Sequence, residues 1–131
     1  MKTFILILIA IFAMTAISTA AQTTDTVTVN AGQQKSAKRS KLKIKFVSVV
    51  EDSRCPVGVN CIWEGNAKIK VMVTSARGTE TFEMNTGLGP KGNQYDGWAI
   101  NLDSLTPLPK ANVTTNPKSY QAKFTVTRLK R

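Results

Sequence analysis

At 131 residues, with 18 Lys plus Arg against 8 Asp plus Glu and no histidine, the chain carries a formal charge of +10. That length suits one domain with a single hydrophobic core. The missing histidine removes the commonest general base, excludes serine–histidine and cysteine–histidine nucleophiles, and leaves the two cysteines without the partners a zinc site needs.

Residues 1–21 read as a secretory signal peptide. Lys2 gives a positive start, Phe4 to Ile17 is uncharged and apolar, and Ser18-Thr19-Ala20-Ala21 offers small residues for processing. The run is short for a membrane span and no second one follows, so no transmembrane segment is expected. No cysteine stands at the processing site to take a lipid, so the chain is expected to be released to the periplasm or the extracellular space. Residues 22–131 form the expected single domain. With Lys2 removed, 17 basic residues against 8 acidic ones leave a charge of +9.

Thr26-Val27-Thr28-Val29, closed by Asn30-Ala31-Gly32, predicts a short first strand at a sheet edge. Lys41 to Phe46 alternates without error, with Leu42, Ile44 and Phe46 on one face and Lys41, Lys43 and Lys45 on the other, and predicts a half-buried strand running on to Val50. Ala67 to Thr74 repeats the pattern with Ile69, Val71 and Val73 inward. Ser75-Ala76-Arg77-Gly78 then turns into a return strand over Thr79–Met84. Gly87, Gly89, Pro90, Gly92 and Asn93 predict a long exposed loop. Trp98, Ile100 and Leu102 mark a further strand, with Leu105 following them inward and Pro107 and Pro109 ending it. Tyr120 to Leu129 alternates throughout and closes the domain. With no helical period and no internal repeat, the expected fold is all-β: an antiparallel sandwich, or a partly open barrel, of about six to seven strands.

Between two of these strands lies Glu51-Asp52-Ser53-Arg54-Cys55-Pro56-Val57-Gly58-Val59-Asn60-Cys61-Ile62-Trp63-Glu64-Gly65. An even cysteine count in an exported chain predicts a Cys55–Cys61 disulfide. Closing so small a loop is worth about 2 kcal/mol by the chain-entropy model. The spacing is not that of a redox-active pair, which has two intervening residues. Two readings of the flanking residues remain. In the first, Arg54 bridges a local carboxylate, Asp52 caps a turn and Trp63 lies over the core. In the second, Arg54, Trp63 and Glu64 rim a ligand site, being partly of the types enriched at binding hot spots.

This motif, from Glu51 through Pro56 to Gly58-Val59 and Cys61-Ile62-Trp63-Glu64-Gly65, resembles the signature of a group of small exported bacterial proteins of uncharacterised function. Leu105-Thr106-Pro107-Leu108-Pro109 and the closing strand with Tyr120 are similar to that group too, so the resemblance spans most of the mature chain. The group often has alanine where Glu64 stands and an aromatic where Leu108 stands. The resemblance implies bacterial export and a shared β fold, and assigns no catalytic residue.

The strongest charge feature is Lys35, Lys38, Arg39, Lys41, Lys43 and Lys45. Alternating lysines deter edge-to-edge strand pairing, and they also suit docking to anionic envelope polymers. Specific nucleic-acid binding would call for interleaved exposed aromatics, which are missing here. Among the acids, only Glu51, Asp52, Glu64, Asp96 and Asp103 offer material for a carboxylate pair. No calcium ligand ladder appears. We therefore expect no cofactor, no metal and no catalytic residue. The expected function is a secreted, envelope-associated binding or accessory module that contacts anionic polymers or another protein. The first alternative is a secreted inhibitor or protein-interaction domain presenting the disulfide loop, and the remote one is a carboxylate-dependent hydrolase.

Overall fold

The computed structural model describes residues 16–19 and 21–130; most of the expected signal peptide lies outside them. Eight strands follow in order: β1 (Thr24–Asn30), β2 (Gln34–Ser36), β3 (Lys43–Asp52), β4 (Ala67–Ser75), β5 (Gly78–Asn85), β6 (Gly92–Tyr95), β7 (Trp98–Thr106) and β8 (Gln121–Arg128). They form two four-stranded sheets, β1-β8-β7-β6 and β2-β3-β4-β5, and every pairing is antiparallel. The sheets pack face to face as a sandwich that is not closed into a barrel. The count exceeds the expected six or seven because β2 and β6 are too short to display alternation, and β6 lies inside the glycine-rich stretch read as loop. Among the described residues no helix is long and apolar enough to cross a membrane.

The inward faces are those the alternation predicts. Leu42, Ile44 and Phe46 are buried against Ile69, Val71 and Val73, and from the other sheet Ile100, Phe124 and Val126 complete the middle of the core. Two bulges in β3 alter its parity. The first, between Phe46 and Ser48, brings Val49 rather than Ser48 opposite inward-facing Ile69. The second, between Val49 and Glu51, restores the parity and sets Asp52 opposite buried Ala67. A bulge between Leu102 and Ser104 of β7 does the same for Leu105, which is buried although strict alternation from Leu102 would turn it outward.

Antiparallel registers gather the connections at two ends. At the turn end lie the β2–β3 turn with Lys38, Arg39 and Lys41, the β4–β5 turn with Arg77, and the β6–β7 turn with Asp96 and Gly97. They are joined by the Arg77–Asp96 ion pair at 3.1 Å and by Asp25, which accepts from the Arg39 amide at 2.7 Å. At the loop end lie the two longest connections between strands, β3–β4 (53–66) and β7–β8 (107–120), together with β5–β6 (86–91).

Candidate functional site

The loop end is built on Arg54. Asp52, the last residue of β3, is turned inward by the restored parity, so a carboxylate stands at the rim of the core and needs a counter-charge. Arg54 supplies it from two residues on. Its Nε donates to Asp52 Oδ1 and its Nη2 to Oδ2, each at 2.8 Å, the two-pronged geometry that guanidinium and carboxylate share. Nη1 then donates to the carbonyl of Leu105, and Nη2 also reaches that of Pro107 at 2.8 Å. The Tyr120 hydroxyl donates to Asp52 Oδ2 at 2.9 Å. One side chain thereby ties the start of the cysteine loop to the end of β7 in the opposite sheet.

Burial alone would raise the Asp52 pKa, but the bonds from Arg54 and Tyr120 and the Arg54 charge outweigh it and hold the carboxyl below its ordinary value. Burial, reinforced by the bond to the Asp52 carboxylate, pushes the Tyr120 hydroxyl up.

Above this base the Cys55–Cys61 disulfide closes the loop with Cα atoms 5.9 Å apart, and the Cys55 amide donates to Glu64 O at 2.8 Å. Gly65, at φ 75°, brings the chain back so tightly that a Cβ there would sit 2.0 Å from Ser53 O, so a side chain cannot be accommodated. Polar bonds tie the three connections together. Val57 N donates to Pro109 O at 2.9 Å. Asn66 Oδ1 accepts from the amides of Gly87 and Leu88 at 3.0 and 3.1 Å, and Asn66 Nδ2 donates to Asn85 Oδ1 at 2.9 Å.

What these connections present is apolar. Ile62 is 93% and Trp63 81% exposed. Val57 and Val59 of the same loop are exposed too, as are Leu88 on the β5–β6 connection and Leu108 and Val113 on the β7–β8 connection. Seven of the nine exposed large hydrophobics among the described residues thus stand at one end of the sandwich. A cavity of about 360 Å³ runs between the connections, lined in part by Glu64, Gly65, Thr86 and Leu108.

The candidate residues divide accordingly. Arg54 pairs locally, as the first reading held; it is 8% exposed, and it lies at the floor of the cavity of about 360 Å³ beside Glu64 and Leu108. Trp63 does not lie over the core, which corrects the first reading; the buried indole is Trp98, with the Arg128 guanidinium 5.2 Å from its ring centroid. Glu64 is exposed beside Trp63. Lys43 and Lys45 point outward from β3 opposite Thr74 and Met72, and Lys41 sits in the preceding turn at φ 58°, so none of the three meets the loop end. Of the acids weighed for catalysis, Asp52 is held by Arg54, Asp96 by Arg77, and Asp103 accepts from the Thr125 hydroxyl.

The sequence reading overlooked Ile62, Leu88 and the hydroxyl of Tyr120. For Ile62 a signal existed: two adjacent large apolar residues in a loop rich in glycine and asparagine have no alternating face to bury them. A scan against protein-family models, a search of curated proteins and a search of solved structures each find no match for the chain.

Proposed function

We propose that the chain is an exported, non-catalytic binding module that meets its partner through the disulfide-closed loop. The observation that carries this reading is the pairing of a locked base with an uncovered tip: Ile62 and Trp63 stand in solvent on a loop held by a disulfide, a buried ion pair and cross-loop hydrogen bonds. A contact surface fixed before binding loses little conformational entropy on association, and tryptophan is the residue most enriched at binding hot spots. The resemblance to small exported bacterial proteins supports export. The inhibitor form of this reading, with Arg54 offered to a protease, does not fit a guanidinium that is buried and fully engaged.

Photo-crosslinking in the producing cell tests the reading. A photoreactive residue at position 63 is expected to give a discrete adduct, and one at position 43, on the outer face of β3, is expected to give none. Adducts at 43 alone would contradict it.

A second reading rests on the turn end, where Arg77, Arg128 and Lys130 line one hollow with Asp96 and the β2–β3 turn adds Lys38 and Lys41. Lys41 holds a left-handed backbone conformation that lysine rarely adopts, in a place where glycine or asparagine would be less strained. Such a cluster suits an anionic envelope polymer. Retention on dextran sulfate that falls steeply with added salt is expected, and salt-independent retention would remove the reading.

A further inference from the structure

We infer that the partner of the loop end is the surface of an anionic lipid bilayer, with Ile62 and Trp63 entering the interface and lysines of the neighbouring connections lying at headgroup level. This rests on the reading that the disulfide loop is the contact surface, and names what it contacts.

Shape is the first ground. The exposed apolar side chains are carried on three separate connections at one end, and Ile62 and Trp63 project from the chain rather than line a cleft. The hollows between the connections, about 360 Å³ and 210 Å³, are lined mainly by apolar surface of Leu105, Pro107, Leu108 and Val113, and neither Ile62 nor Trp63 lines them. A protein partner would have to offer a matching recess for each projecting side chain. A fluid interface closes around any of them, and an indole is the ring that favours the boundary between headgroups and acyl chains.

Charge is the second ground. With Arg54 neutralised by Asp52, the three connections carry Lys91, Lys110 and Lys118 against Glu64. The Lys110 backbone pairs with that of Val57 and Val113, which sets this residue between two of the connections that carry the exposed apolar side chains. The whole chain is strongly basic, with a formal charge of +10. Apolar tips on connections that carry three lysines against one glutamate complement a bilayer with anionic headgroups, where each cation near the surface adds attraction that salt removes. A rigid base matters here as well, because a loop that collapsed onto the core would withdraw its apolar tip.

The experiment is co-sedimentation of the mature chain with vesicles of equimolar phosphatidylcholine and phosphatidylglycerol and with vesicles of phosphatidylcholine alone, paired with tryptophan emission. Binding to the anionic vesicles, a blue shift in emission, and a loss of about tenfold or more in the Ile62→Ser/Trp63→Ser variant are expected. Both positions are exposed, so that variant keeps its fold, and its thermal melt checks this. The Lys91→Glu/Lys110→Glu/Lys118→Glu variant is expected to lose the preference for anionic vesicles. Failure of the wild-type chain to sediment with anionic vesicles overturns the bilayer proposal alone; a position-63 adduct with a protein in the cell would then assign the loop a protein partner. Sedimentation that the Ile62→Ser/Trp63→Ser variant leaves unchanged overturns the loop reading as well, because binding would then run through another face, such as the lysines of the turn end.

Discussion

The Arg54 guanidinium and the Asp52 carboxylate face each other through two hydrogen bonds of 2.8 Å, at a point where the other groups in reach are the carbonyls of Leu105 and Pro107 and the hydroxyl of Tyr120. The pair therefore does two tasks. It neutralises a carboxylate at the core rim, and it fastens one sheet to a connection of the other beneath the exposed loop.

Removing Arg54 leaves Asp52 without its counter-charge and two carbonyls without donors. Arg54→Met is expected to lose about 3–5 kcal/mol of stability in urea unfolding. Arg54→Met/Asp52→Leu should recover part of that, since it no longer strands a charge, with the two carbonyls accounting for the remainder. Arg54→Lys should fall between, because an ammonium cannot bridge both carboxylate oxygens and both carbonyls at once.

Stability should depend on pH at both extremes. Asp52 has a folded pKa below the ordinary 3.8, so its contribution is present above that value and is lost as pH falls through the depressed folded pKa. Tyr120 has a folded pKa raised above 10.0, so its contribution is present below that value and is lost as pH rises through the raised folded pKa. Chemical denaturation across pH should show a flatter acid limb in Asp52→Asn and a flatter alkaline limb in Tyr120→Phe. An unchanged acid limb in Asp52→Asn would mean that other carboxylates govern acid unfolding.

The disulfide closes a short loop that is separately anchored by Arg54, Gly65 and the Asn66 amide. Cys55→Ser/Cys61→Ser is expected to cost about 2 kcal/mol and to leave the sandwich folded. Hydrogen exchange should quicken at the Cys55 and Val57 amides and stay slow in β4 and β8.

Much of this was legible in the sequence, for reasons that also mark where it stopped. Lys41 to Phe46, the β4–β5 hairpin and the Trp98-Ile100-Leu102 face could be read because alternation ties the identity of a residue to its side of a sheet. The cysteine pair could be read because the expected export to an oxidising compartment favours the union of two cysteines. By contrast, β2 has three residues and β6 has four, too few to show a period. The bulge that turns Val49 inward breaks the rule by which faces are inferred, and Leu105, expected inward, reaches the core only through a second such break. The fate of Arg54 depended on carbonyls 51 and 53 positions away along the chain, and that of Trp63 on which side of an irregular loop faces the core, which no local pattern encodes.

The central claim is that a buried Arg54 anchors a closed loop that holds Trp63 out in solvent, and collisional quenching tests it most directly. In the Trp98→Phe variant, with the disulfide intact, Trp63 is the sole emitter; the account predicts red-shifted emission quenched by acrylamide almost as efficiently as free tryptophan. Blue-shifted emission that acrylamide barely reaches would place the indole against the core and contradict it.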